Sequence, residues 1–228
     1  MTNNLFRTNK SYEKEEVIKQ IIAGNAVHNI LMKYQMNNLT RIDSTIGKKI
    51  ENIKVEIKRS REDIKYRYNK SQKNICDNFL LQYGEVIISR AEEAINFLGY
   101  IDYLSLIERS MKKNEICLGR IDEVNLRVME NIEIATVKNI SYNLVEEDIY
   151  EYLRRIKRKS NEFNFIEVIN EYINIANLNN ESKNYIEILL CIPYDSLRQW
   201  RKYRYDKKNL SEVEYLNNIK RAFNYEIN

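Results

Sequence analysis

Leu118-Gly119-Arg120-Ile121-Asp122-Glu123-Val124-Asn125 runs directly into Leu126-Arg127-Val128, Met129-Glu130-Asn131 and Ile132-Glu133-Ile134. The two apolar-polar-apolar triplets around a turn-like centre predict a short β-hairpin that follows a loop. Around this hairpin the periodicity is helical. Val17, Ile18, Ile21, Ile22, Ile30 and Leu31 mark a first helix, loosened at Gly24. Ile46, Ile50, Ile53, Ile57 and Ile64 form a narrow apolar seam among lysines, arginines and glutamates. Ile75, Phe79, Tyr83, Val86, Ile87, Ala91, Ala94, Ile95 and Leu98 mark a second long helix, closed by Gly99 and paired antiparallel with the first of the two. A shorter helix, Tyr103 to Met111, leads into the loop, and another runs from Glu146 to Lys159. The isoleucine seam weakens after Ile57, short of the sustained heptads of a dimeric coiled coil, so the pair packs within the chain.

The octet has the spacing of a kinase catalytic loop, which reads His-x-Asp with Asn five residues after the Asp; the Asp takes the acceptor's proton and the Asn holds magnesium. Asn125 keeps its place, but Arg120 stands where the Asp belongs. An arginine stays protonated at any accessible pH, so it cannot serve as a base, and it repels a metal ion. The stretch Ile134 to Ile149, with Ser141-Tyr142-Asn143 before the next helix, resembles in order the Asp-x-Asp segment, Ser-Tyr-Asp turn and helix of CotS-type spore-coat proteins. These are relatives of aminoglycoside phosphotransferases and choline kinases. In that alignment Thr136 replaces the metal-binding Asp, and Leu118, Gly119 and Lys138 are further positions of the degenerate loop.

The resemblance covers roughly residues 15 to 225. Ile46 to Leu98 looks like the family's paired long helices. Ile188 to Pro193, Trp200 to Tyr205 and Ser211 to Leu216 resemble its closing pattern: a proline after an apolar helix, a basic aromatic helix, and a last helix opened by Ser-Glu. The family's Phe-His near the end of the first helix appears as Tyr34-Gln35. The implied fold is mainly α: the large, C-terminal lobe of a protein-kinase-like, aminoglycoside-phosphotransferase-like fold with a small β-hairpin. It forms one domain over 1–228, with a helical pair at about 46–98, the degenerate loop and hairpin at 117–138, and closing helices at 146–226. The nucleotide-covering small lobe is expected to be missing, since five glycines supply neither Gly-x-Gly-x-x-Gly nor a P-loop.

The resemblance therefore implies a non-catalytic spore-coat or coat-assembly component, with no cofactor and no metal, made in the mother-cell cytoplasm and assembling on the coat. Its partners are other coat proteins or a second copy of itself. A large lobe without its small lobe must cover or polarise the face around the loop. Leu118, Val124 and Val128 are the apolar candidates there, with Arg120 and Lys138 placed to hold an acidic group; Arg198, Arg201 and Arg204 extend the candidate interaction surface. An alternative of another class is a small-molecule phosphotransferase completed by a separate small-lobe chain.

Composition bounds the rest. The chain has 228 residues, 43% of them hydrophobic, enough for one domain with a real core. Cys76, Cys117 and Cys191 are widely spaced and odd in number, which fits core thiols in a reducing compartment. No apolar run approaches the ~20 residues of a membrane span, and no signal peptide is recognisable. Two basic segments, Arg154 to Lys159 and Arg198 to Lys208, raise a third reading, nucleic-acid binding. With 37 basic against 33 acidic residues, the charge footprint falls short of a dedicated binder. The single histidine, His28, has no Cys or His near it and reads as structural or surface. Asp122 and Glu123 are displaced from the base position, and Glu146, Glu147 and Asp148 read as compensation of a helix dipole.

Overall fold

The computed structural model describes residues 12–33, 42–128, 130–160 and 163–227. Tyr34-Gln35 and Met129, at the hairpin turn, lie outside the described residues. Among these residues the chain is mostly helical: α1 Lys14–Lys33, α2 Lys48–Asn69, α3 Ile75–Phe97, α4 Tyr103–Lys113, α5 Glu146–Lys157, α6 Phe165–Ile175, α7 Asn180–Cys191, α8 Tyr194–Arg204 and α9 Glu212–Glu226. Four short strands interrupt the helices: β1 Ile116–Cys117, β2 Leu126–Val128, β3 Ile132–Ile134 and β4 Ser141–Tyr142.

The isoleucine seam of α2 is internal. Ile50, Ile53 and Ile57 are buried with Leu80, Ile87, Ile88 and Ala91 of α3 and with Trp200 and Ile219. Cross-helix partners run in opposite order, Arg67 with Asp77 and Arg61 with Glu92, so α2 and α3 are antiparallel. Gly84 permits the close approach, because a Cβ there would lie 2.7 Å from Ile64 Cδ1 and 2.9 Å from the Trp200 ring. Local chemistry starts the helices as well: Asn74 with Asp77, and Ser211 with Glu214, form capping boxes at α3 and α9.

A second core joins α1, the loop and α5 to α6: Val17, Ile21, Leu118, Ile121, Leu126, Ile149, Leu153 and Tyr172. Two glycine expectations change here. Gly24 does not loosen α1, which is continuous; it admits Ile121, whose Cδ1 would be 3.0 Å from an added Cβ. Gly99 does not cap α3 with a left-handed turn; the helix tightens into a 3₁₀ turn at Leu98–Tyr100. Cys76 and Cys117 are core thiols as expected, but Cys191 is exposed at the end of α7.

Candidate functional site

The loop at residues 118–125 and the hairpin after it are closed at their neck by β1 and β4, paired antiparallel with Ile116 opposite Tyr142 and Cys117 opposite Ser141. Gly119 takes φ +77°, and its missing side chain leaves room for Asn139, whose Cβ and carbonyl oxygen would lie 2.7 and 2.8 Å from an added Cβ. Only glycine adopts such a conformation at little cost and fits that contact.

Three side chains fix the loop from outside. The Asp148 carboxylate, in the first turn of α5, accepts the Leu118 N–H at 2.7 Å and the Gly119 N–H at 2.8 Å. His28 Nε2 of α1 lies 2.9 Å from the same carboxylate, and both side chains are buried. Gln20 Nε2 donates to the carbonyls of Ile121 at 2.6 Å and Leu126 at 2.8 Å. His28, read from sequence as structural or surface, is therefore a buried prop of the loop. Asp148 is more than a dipole partner, and so are its neighbours: Glu146 binds Arg109, and Glu147 lies 3.6 Å from Lys49. The legible signal was three consecutive carboxylates where a dipole calls for one; the hydrogen bonds across more than a hundred residues left no local trace.

Inside the loop the polar side chains are engaged with one another and with their neighbours. Arg120 Nε donates to Asp122 Oδ1 at 2.8 Å, and Arg155 Nη1 binds the other oxygen. Burial raises the Asp122 carboxyl, but the Arg120 hydrogen bond and the Arg155 charge outweigh it and hold the group below the usual range. Glu123 accepts from the Tyr152 hydroxyl at 3.0 Å. Asn125 Nδ2 donates to the Arg120 carbonyl at 2.8 Å, while its oxygen accepts the Thr136 N–H at 2.9 Å. Thr136 Oγ1 accepts the Lys138 N–H at 3.2 Å. Among the described residues, no group of three His, Cys, Asp or Glu side chains is placed to hold a metal ion.

The expected apolar face around the loop divides. Leu118 is 1% exposed and belongs to the core, because its N–H is drawn in by Asp148; it cannot line a surface. Val124 and Val128 are 61% and 57% exposed. Val128 pairs across the hairpin with Ile132, and Leu126 with Ile134, so these four share one face, of which only Leu126 is buried. Val137 is also exposed. Arg120 is engaged by Asp122 and is not a free anion-binding group; Lys138 stays exposed.

The Arg198 to Lys208 segment also turns partly inward. Trp200 is fully buried and donates to Asp63 at 2.6 Å, and Tyr203 donates to Asn74 and Asp77. Arg204 binds Glu56 at 2.7 Å and Ser60 at 2.8 Å, which removes it from the candidate interaction surface. Arg198 and Arg201 remain partly exposed. The nucleic-acid reading thus loses its central aromatic rings.

No helix among the described residues is long and apolar enough to cross a membrane. Comparisons with protein families and with curated proteins find no match. Among solved structures, an aminoglycoside phosphotransferase from Alicyclobacillus acidocaldarius subsp. acidocaldarius DSM 446 superposes with a TM-score of 0.76 at 13% identity. The match covers 95% of this chain and spans 64% of that chain's length. At that identity the likeness speaks of shape alone: the chain has a mainly helical, kinase-like fold of the aminoglycoside phosphotransferase type, with a small β-hairpin.

Proposed function

We propose that this chain is a non-catalytic, kinase-like binding protein and, from its sequence resemblance to CotS-type proteins, a structural or scaffold component of the bacterial spore coat or of its assembly. The observation that carries the inactive reading is the occupancy of the loop. Arg120 stands in the base position, and with Arg155 it neutralises Asp122, the carboxylate two residues on. The Asn125 oxygen that would face a metal is given to a backbone N–H. The loop keeps its shape through Asp148, His28 and Gln20, which supports retention of the surface without the chemistry.

The hairpin face supports a binding role. Val128, Ile132 and Ile134 are exposed on one face of the hairpin, and Val124 and Val137 are exposed in the segments on either side of it, apolar surface that favours burial against a partner. That partner is another coat protein or a second copy of this chain. A fluorescent fusion followed through sporulation tests the role: a ring or cap at the forespore supports it, and diffuse fluorescence throughout refutes it. Serine at Val124, Val128 and Ile132 tests the face; the triple variant is expected to lose the assembled species in sedimentation while folding normally.

A second reading is a phosphotransferase completed by another chain on the hairpin face. It is favoured by the aminoglycoside phosphotransferase whose fold this chain shares over 64% of that chain's length. It requires Asn125 to release Thr136 and another residue to replace the base. Phosphate transfer by the chain with its native partners decides between the two readings.

A further inference from the structure

The two basic segments, far apart in sequence, meet in space, and α9 adds cations that sequence did not single out. An open basin of about 730 Å³ is bordered by Arg158, Lys159, Lys220 and Arg221, and a narrower recess of about 240 Å³ opens beside it, bordered by Arg158, Arg198 and Arg221. Across both, five cations face one carboxylate, Asp195, leaving the lining four positive, as much as the entire chain's formal net charge of +4.

Ordinary structural roles explain only part of this. The negative end of the α5 dipole favours Arg158 and Lys159, but Arg198 sits inside α8 and Lys220 and Arg221 inside α9, where no dipole calls for them. Asp195 is already taken: Arg154 donates to it at 2.7 Å and Arg158 at 2.6 Å through each of two nitrogens. Glu226 is turned away, accepting the backbone N–H groups of Asp195 and Ser196 at 2.8 Å. Among the described residues no carboxylate pairs with Arg198 or Arg221. The neighbouring Lys202 amine is pushed down by burial and then by the Arg198 and Lys208 charges, as expected where positive charge is uncompensated.

Apart from Ala222 and Tyr225, the neutral lining is amide and hydroxyl, from Asn217, Asn218, Asn224, Gln199 and Ser160, all able to donate to anionic oxygens. Its single ring, Tyr225, is half-buried, so successive bases have no stacking platform. We propose that the basin and its adjoining recess together bind a small ligand bearing two or more phosphate groups, gripped by Arg198 and Arg221, with Arg158, already held by Asp195, at their junction. Planar guanidinium groups match phosphate oxygens in pairs, and the basin lies within the ~300–1,000 Å³ usual for small-molecule sites. The site is independent of what the degenerate loop does.

Isothermal titration of the full chain with tripolyphosphate tests it, using Arg198→Gln/Arg221→Gln against Lys58→Gln/Lys65→Gln, a control that removes the same charge from exposed positions of α2. The first pair is expected to weaken binding on the order of tenfold or more, the loss of at least one charge-assisted hydrogen bond, and the control less than threefold. Unchanged thermal midpoints establish that both variants fold. Three results overturn the proposal: equal weakening in both variants, no binding of tripolyphosphate at millimolar concentration in low salt, or binding of single-stranded oligonucleotide without binding of tripolyphosphate.

Discussion

Replacing Asp148 by alanine removes the acceptor of two loop N–H groups and the partner of a buried histidine. Hydrogen bonds to a charged acceptor contribute about 1.5–3 kcal/mol each, and a buried donor left unpaired costs a similar amount. Two such bonds and the orphaned His28 give an expected loss of about 4–6 kcal/mol, a large share of the ~5–15 kcal/mol that holds an ordinary domain. Asparagine keeps one acceptor oxygen but turns its NH₂ toward the other N–H, so Asp148→Asn should cost about 2–4 kcal/mol. Urea denaturation with linear extrapolation reads the total, and hydrogen exchange at the Leu118 and Gly119 amides reads the location. Those two amides should lose protection before the amides of α5. A loss below about 1 kcal/mol in the alanine variant, with exchange unchanged, would refute the view that Asp148 anchors the loop.

Gly119→Ala meets both a left-handed backbone and the Asn139 carbonyl at 2.8 Å, so it should cost about 2 kcal/mol or more in the same denaturation assay. Glu151 should contribute to the acid limb of stability: burial raises its carboxyl, but Lys49 and Arg154 overcome this and hold it at about 2, against an ordinary 4.5. Because the folded value is the lower one, this stabilisation, roughly 3 kcal/mol, is complete above about pH 4.5 and is lost as pH falls toward about 2. Glu151→Gln should therefore flatten the stability profile over that window. Arg120→Asp/Thr136→Asp should yield no phosphate transfer, and it should destabilise the loop by setting a new carboxylate beside Asp122; a gain of transfer activity would contradict this.

What was legible in the sequence was local. The alternating triplets gave the hairpin, the stepped isoleucines gave α2 and its inward seam, and the Ser211-Glu214 pairing opened α9 where a helix start was expected. The loop's position followed from a glycine and a spaced asparagine. What stayed hidden depends on elements distant in sequence. Gln20 and His28 reach the loop from α1, and nothing in their own segment announces it. Gly24 and Gly84 resemble helix weaknesses until Ile121 and Trp200 are seen to fill the space beside them. Leu118 groups in sequence with Val124 and Val128 as a candidate for an exposed apolar face, and the pull of Asp148 on its N–H decides otherwise. Arg204 and Trp200 looked like one end of a basic aromatic patch, yet Glu56 and Asp63, on α2, draw them inside. The basic groove was half visible: α5 and α8 showed their cations, whereas Lys220 and Arg221 stand among neutral residues of α9 and gain meaning only from where that helix packs.

The most direct test of the proposed inactivity of the loop is nucleotide turnover by the chain isolated together with whatever it binds in its own cells. Magnesium and ATP are supplied with a panel of amino- and hydroxyl-bearing acceptors, and both ADP and phosphorylated product are measured. On the proposed reading, with Arg120 in the base position and with Asp122 and Asn125 engaged, neither should rise above the level without protein. Turnover that tracks the chain through purification and falls when Asn125 is replaced by alanine would contradict the scaffold reading and establish a phosphotransferase.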